Sequence, residues 1–188
     1  MRGRSAFLVL LLLGGPARAT APTWHGTLVL RPAAGAFNRR TGEATLRASA
    51  WHLKLADGSP GIDPATQQVM VSIGSNNLRV PLGDVRVRRH GTVFVYRRPP
   101  TPTPGVVFLR MRRVTPVRWE VAFRLRGLDL SALVLESEAC VPMAIIVGDN
   151  DGFSGVRLVR PGGARAFRSR TVALTNDCAI SNDWPWLQ

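Results

Sequence analysis

Apolar and polar residues alternate one by one through almost every segment after Thr20, in runs of five to ten residues. Because successive side chains of a β-strand point to opposite faces, this period of two is typical of strands with one buried face. Little of the chain shows the 3.6-residue period of an amphipathic helix. The sequence therefore predicts an all-β protein of two packed antiparallel sheets, arranged as a β-sandwich or a flattened barrel.

Eleven strands are predicted, separated by turns rich in Gly, Pro, Asp and Asn. They cover residues 24–31, 44–55, 68–73, 78–80, 85–89, 92–97, 106–113, 117–126, 141–147, 155–159 and 166–174. The residues in the breaks between them fix φ or permit positive φ, as turns require. None of the breaks has the length of an interdomain linker, so we expect residues 20–188 to form a single domain.

Two segments share the pattern of an apolar strand that ends in Gly-x-Asn followed by Asn or Asp. They are residues 69–77 and 143–151. Asn, Asp and Gly tolerate the left-handed backbone of tight hairpins. The similarity predicts an internal duplication, with half-repeats at residues 45–97 and 106–174 packed face to face. Two unrelated hairpins that share turn residues by chance are the alternative.

A longer pattern surrounds these two segments. Gly-Ile-Asp-Pro at 61–64 precedes Val-x-Val-x-Ile-Gly at 69–74, and Gly-Leu-Asp-Leu at 127–130 precedes Val-Gly-Asp-Asn-Asp-Gly at 147–152. Over residues 45–160 this pattern resembles β-rich modules of predicted secreted bacterial proteins. The chain departs from them in an inserted stretch with Cys140 and in its arginine content. The resemblance implies a noncatalytic secreted module and brings no assigned chemistry.

The first 19 residues have the three parts of a secretory signal peptide. Arg2 and Arg4 precede an apolar run at 6–13, and small residues at 17 and 19 follow a Gly-Gly-Pro break. The apolar run is too short to cross the roughly 30 Å of hydrocarbon as a helix. We expect cleavage after Ala19, a mature chain without a transmembrane segment, and a secreted or periplasmic protein. A buried N-terminal strand or helix of a cytosolic protein is the alternative.

The chain has two cysteines, Cys140 and Cys178. Two isolated cysteines lack the spacing of a zinc site, and an exported protein meets an oxidising compartment, so a disulfide between them is expected. Closing a loop of this length would stabilise the fold by about 4 kcal/mol in the chain-entropy model. Two reduced, buried thiols are the alternative.

The basic charge of the chain is local. The formal net charge is +13, from 25 basic and 12 acidic residues. Residues 85–126 contain eleven arginines and a single acid, Glu120. All basic residues except Lys54 are arginine. A GC-rich genome produces this bias, so the choice of arginine does not by itself indicate selection for anion binding.

Alternation assigns seven of these arginines to one solvent face if the strands form a meander. They are Arg86, Arg88, Arg110, Arg112, Arg118, Arg124 and Arg126. Directly opposed like charges would repel each other by about 0.2–1 kcal/mol unless an anion covers them. We therefore predict an anion-binding face whose partner is lipid phosphate, an acidic polysaccharide or nucleic acid. A purely structural module, with an arginine face that binds nothing, is the alternative.

Motifs for catalysis and metal binding are incomplete in this sequence. Three histidines, His25, His52 and His90, lack the spacing of metal ligands. Gly-Phe-Ser-Gly at 152–155 differs from a nucleophile elbow, which is Gly-x-Ser-x-Gly between a strand and a helix. We therefore expect no enzymatic activity.

A glycan-active enzyme is the remaining alternative. It would use Glu136 or Asp149 as the acid and Trp184 as the platform for a sugar ring. Glu136 and Glu138 share one strand face, but no second acidic element is identifiable. Trp184 and Trp186 are expected to pack on the sheet, and stacking on a ligand is the other possibility for them.

Asp-Asn-Asp-Gly at 149–152 contains hard oxygen ligands of the kind that calcium prefers. Asp149 and Asp151 are therefore candidate metal ligands, and Asp177 and Asp183 would complete the site if the chain returned there. The spacing differs from that of an EF-hand loop, and a hairpin turn requires the same residues. A turn without an ion is the preferred interpretation, and no other cofactor is predicted.

Overall fold

A computed structural model describes residues 24–29, 33–37, 43–99, 103–129, 138–159 and 166–171. The regular structure in these ranges consists of twelve β-strands, with no helix. They are β1 (Trp24–Val29), β2 (Ala34–Phe37), β3 (Glu43–Lys54), β4 (Val69–Ile73), β5 (Asn76–Val80), β6 (Arg86–Arg88), β7 (Val93–Arg97), β8 (Gly105–Thr115), β9 (Arg118–Asp129), β10 (Glu138–Val147), β11 (Asn150–Val159) and β12 (Ala166–Thr171). The all-β prediction is confirmed. In this part of the chain, no helix has the length and apolarity that crossing a membrane requires.

Each of the eleven predicted strands overlaps one of these strands. The strand that alternation does not reveal is β2, whose sequence is Ala-Gly-Ala-Phe. Ala and Gly are poor strand formers, so local preference does not mark this segment. β2 pairs with β3 on one side and with β12 on the other. Pairing with the next strand, β3, and with the distant β12 therefore makes it a strand.

The strands join in one mixed sheet, whereas the sequence predicts two packed sheets. The order is β5-β4-β10-β11-β12-β2-β3-β9-β8-β7-β6. β1 pairs in parallel with β11 and antiparallel with β3, so it bridges the same two strands as the β12-β2 pair does. The sheet curls until β5 contacts β8. The result is a half-barrel with a concave inner face.

The two similar hairpins, β4-β5 and β10-β11, are neighbours in this sheet. Both turns begin with a glycine at positive φ, Gly74 at 55° and Gly148 at 57°. The prediction of tight turns at both places is confirmed. The hairpins pair edge to edge through β4 and β10 and are not packed face to face. The internal duplication stays a prediction.

The hydrophobic core lies on the inner face of the curled sheet. Trp51, Trp119 and Phe123 are among its largest fully buried side chains. The rings of Trp51 in β3 and Phe123 in β9 meet edge to face, with centroids 4.8 Å apart. Such a contact contributes about 0.5–1.5 kcal/mol beyond the burial of the rings. The β3-β9 pair is therefore well anchored beneath the outer face.

A bulge interrupts β3 above this aromatic contact. The register between β3 and β9 shifts between Ala48 and Trp51, and Ala50 has a φ of 57°. A bulge bends its strand and increases the local twist. Two residues of β3, Ser49 and Ala50, lie opposite Ala122 of β9.

Candidate anion-binding groove

The strand register puts the seven arginines predicted to bind anions on one outer face. β9, β8, β7 and β6 are successive neighbours in the sheet, in the order that a meander requires. Arg86 and Arg110, for example, both lie opposite Val95. All seven side chains are exposed.

Within the meander, none of these seven arginines lies directly opposite another. Uncharged residues and Glu120 fill the opposing positions between the described strands β6 to β9. Directly opposed basic residues occur instead between β3 and β9, where Arg47 faces Arg124 and Lys54 faces Arg118. The repulsion expected among neighbouring arginines is therefore concentrated at the β3-β9 boundary.

Glu120 binds two arginines at the centre of this face. Its Oε1 accepts a hydrogen bond from Arg110 Nη2 at 3.2 Å, and its Oε2 accepts one from Arg112 Nη2. The Glu120 side chain is 13% exposed, whereas the two arginines are 45% and 48% exposed. The carboxylate therefore neutralises part of the centre and divides the basic face into two ends.

A groove of about 490 Å³ lies at one of these ends. Ala48, Ser49 and Ala122 line it beside the bulge in β3, where the short side chains of Ser49 and Ala122 leave space. Its arginines are Arg47, Arg97, Arg98, Arg110 and Arg124. None of the described residues that line it is acidic. The groove is within the size range of small-ligand sites. Arg110 is paired with Glu120, and the other four arginines have no acidic partner among the described residues, so the groove keeps a positive charge.

Two of the groove arginines are held in position by uncharged groups. Arg97 Cζ lies 5.6 Å from the centroid of the Phe108 ring, a cation–π contact worth about 0.5–1 kcal/mol at an exposed site. Arg98 donates hydrogen bonds to Pro104 O at 3.3 Å and to Thr103 Oγ1 at 3.2 Å. These contacts orient both guanidinium groups without neutralising their charge.

The side chains of Arg47 and Arg124 make no hydrogen bond or ion pair with the described residues. They face each other across β3 and β9, at positions where side chains on one face are close neighbours. Guanidinium groups match the geometry of phosphate and carboxylate oxygens. An anion between these two side chains would replace their repulsion by charge-assisted hydrogen bonds.

Three of the groove arginines are outside the set predicted from the sequence: Arg47, Arg97 and Arg98. Alternation alone puts Arg47 on the polar face of β3, but nothing in the local pattern shows that β3 lies beside β9. Arg97 lies two residues after Val95 on the outer face of β7, so alternation along this strand could have predicted its position. Arg98 follows the end of β7, where alternation no longer applies.

The two candidate calcium ligands have different surroundings. Asp149 is exposed, whereas Asp151 is 1% exposed, with its Oδ2 3.0 Å from His25 Nδ1. Burial raises the pKa of Asp151, although His25 and the Gly26 N–H oppose the shift. Asp151 Oδ1 has no hydrogen-bond partner. Within the described residues, no group of three or more His, Cys, Asp and Glu side chains could hold a metal ion.

Asn150, between these two aspartates, ties a turn to β11. Its Oδ1 accepts a hydrogen bond from Ser59 Oγ, and its Nδ2 donates to Gly61 O at 3.3 Å. Gly61 N donates in turn to Ser59 Oγ at 3.1 Å. Asn150 therefore satisfies partly buried backbone and hydroxyl groups at one end of the curled sheet, which is a structural role.

Several other candidate residues have a simple outcome. Ser154 is buried within β11, so the segment at 152–155 is a strand and not a nucleophile elbow. Cys140 is exposed in β10, and Cys178 lies outside the described residues, so the disulfide stays a prediction. The other predicted residues outside the described ranges are residues 1–19, Glu136, Asp177, Asp183, Trp184 and Trp186.

Comparison of the chain with protein-family models, with curated proteins and with solved structures found no match.

Proposed function

We propose that this protein is a noncatalytic secreted or periplasmic module that binds an anionic polymer through the arginine groove. The observation that carries the proposal is the opposition of Arg47 and Arg124 in a groove whose described lining includes five arginines and no acid. Keeping like charges opposite each other costs free energy in the absence of an anion. Binding of phosphate or carboxylate oxygens would reverse this cost.

A polymer fits the groove better than a single small anion does. Arg126 lies two residues beyond Arg124 on the same face, and Arg86 lies in the same cross-strand row as Arg110. A chain with regularly spaced charges would meet these arginines after leaving the groove. Each charge-assisted hydrogen bond contributes about 1.5–3 kcal/mol, so the groove would dominate the affinity.

Measuring the binding of the protein to anionic polymers tests this proposal. The panel contains an acidic polysaccharide, lipopolysaccharide and DNA, each titrated at several salt concentrations between about 50 and 200 mM. The double variant Arg47→Ala/Arg124→Ala is expected to bind the preferred polymer at least tenfold more weakly. If the polymer is DNA, the slope of log affinity against log salt should fall by about 1 for each arginine removed.

Arg79→Ala is the matched control. Arg79 is exposed on β5, outside the groove, so its loss should leave binding nearly unchanged. Equal binding by the groove variant and the control would contradict the proposal. Failure of the wild-type protein to bind any member of the panel at about 50 mM salt would also contradict it, in favour of a purely structural module.

We also propose that the mature protein begins at Thr20 and contains a disulfide between Cys140 and Cys178. Export supports both, because a signal peptide is removed and an oxidising compartment favours disulfides. The mass of the exported protein checks them together. Retention of residues 1–19, or reaction of both cysteines with a thiol reagent in the unfolded, unreduced chain, would contradict them.

A further inference from the structure

The hairpin that joins β8 to β9 extends beyond the hydrophobic core. Met111 and Trp119 are fully buried, whereas residues 112–118, which lie between them, are all exposed. The hairpin therefore projects from the end of the sheet opposite the groove. Arg118 and Arg124 are six residues apart in β9, which corresponds to about 20 Å.

This end of the sheet combines exposed apolar and basic side chains. Val114 and Val117 are 54% and 42% exposed. The basic residues around them are Lys54, Arg88, Arg89, Arg112, Arg113 and Arg118. We call these eight residues the basic tip.

Backbone contacts hold the parts of the basic tip together. Arg113 N donates a hydrogen bond to Thr92 O at 2.8 Å, which joins the β6-β7 turn to the hairpin. Leu55 N donates to Val117 O at 2.9 Å, which joins the end of β3 to it. Lys54 lies directly opposite Arg118. The tip therefore joins the ends of four strands, β3, β6, β8 and β9.

Among the described residues, an acid pairs with only one of the six basic residues of the tip, Arg112. Glu120 is bound to Arg110 and Arg112, and Asp57 lies two residues beyond Leu55. The tip keeps a net positive charge beside its two exposed valines. The groove differs, because small side chains form its floor and no exposed valine adjoins its arginines among the lining residues.

We propose that the basic tip docks on an anionic lipid surface. Valine side chains would enter the boundary between headgroups and acyl chains, while the basic side chains reach lipid phosphates. Contact with a hydrated polymer leaves exposed apolar side chains in water, whereas transfer into this boundary removes them from water and lowers the free energy. The groove, at the other end of the sheet, stays open to a second ligand.

Vesicle co-sedimentation of the exported protein tests the docking. Phosphatidylcholine vesicles with added phosphatidylglycerol are compared with pure phosphatidylcholine, at low salt and at about 150 mM salt. The wild-type protein is expected to bind only the anionic vesicles. Because each basic residue near such a surface contributes about fivefold to binding, Arg113→Gln/Arg118→Gln should weaken it about 25-fold.

A second variant separates the apolar contribution from the charge. Val114→Ser/Val117→Ser should weaken vesicle binding at least about fivefold, while the dependence on salt stays as in the wild-type protein. Leu82→Ser and Arg79→Gln are the matched controls, because both change exposed residues outside the tip. Circular dichroism checks that every variant is folded.

The groove variant Arg47→Ala/Arg124→Ala keeps the two proposals distinguishable, because it should bind vesicles as the wild-type protein does. Vesicle binding that survives both tip variants would overturn the docking proposal. Absence of wild-type binding to anionic vesicles would also overturn it. If the arginine tip variant loses binding to a soluble anionic polymer and not to vesicles, the tip is a polymer site instead.

Discussion

At the scale of single residues, Asp151 combines burial with an unsatisfied carboxylate oxygen. It is an acid that is 1% exposed, and only one of its two oxygens has a partner. Burial penalises the charged form and raises the pKa above 3.8, although His25 opposes the shift. The folded protein therefore holds this proton more tightly than the unfolded chain does.

The sign of the resulting pH dependence follows from this difference. Between 3.8 and the higher pKa of the folded state, the folded protein binds more protons at Asp151, so its stability falls as the pH rises. We expect the free energy of unfolding of wild-type protein, relative to Asp151→Asn, to fall as the pH rises above 3.8. Urea unfolding of both proteins between about pH 3 and pH 5, below the usual range of histidine titration, measures this change. A relative gain in stability over this range would show that the partners of Asp151 outweigh its burial.

At the scale of elements, the bulge in β3 shapes the groove. The register shift between Ala48 and Trp51 places two residues of β3 opposite Ala122, next to the buried contact of Trp51 with Phe123. Ala50 carries the left-handed backbone of the bulge, with a φ of 57°. This conformation costs a residue with a Cβ about 1–2 kcal/mol, and glycine adopts it freely.

Ala50→Gly is therefore expected to stabilise the protein by about 0.5–1 kcal/mol, after the greater entropy of glycine in the unfolded chain is subtracted. Ala48→Gly, in the regular part of the same strand, is the control and should lose about 0.5–1 kcal/mol or more. Chemical unfolding measures both. Equal losses in the two variants would show that the bulge is not strained.

The elements themselves were largely predictable from the sequence. Alternation and turn residues indicate eleven of the twelve strands, because both act through neighbouring residues. Alternation also puts Arg110 and Arg124 on the polar face of their strands. It does not bring Arg47 to Arg124, because the pairing of β3 with β9 depends on packing between distant segments. It misses β2 because Ala-Gly-Ala-Phe has no apolar and polar alternation.

At the scale of the whole molecule, β1 joins the two sides of the curled sheet. It pairs with β11 through residues 24–27 and with β3 through residues 27–29. Gly26 lies close to the backbone of both neighbours. A Cβ at this position would overlap Lys54 O and lie 2.9 Å from Asp151 O. Both atoms belong to the backbone, so a side chain cannot be accommodated by rotating a neighbour.

Gly26→Ala is expected to destabilise the protein by about 1–3 kcal/mol, because β3 and β11 must separate to admit the methyl group. For a domain of this size, each kcal/mol lowers the Tm by about 2–4 °C. Thr27→Ala, at the next and exposed position of β1, is the control and should change the Tm little. If Gly26→Ala had the same Tm as the control, β1 would not be closely packed between β3 and β11.

The sequence by itself determined the all-β class, eleven strands, two tight hairpin turns and the outer face of the seven arginines in three of these strands. All of these follow from residues close together in the chain. Only the tertiary structure decided that the strands join in one curled sheet, that β1 bridges β3 and β11, and that Glu120 binds two arginines. It also decided that Arg47 faces Arg124 across the groove. These features depend on which distant strands pair and in which register, and the alternation of a strand is the same whichever neighbour it has.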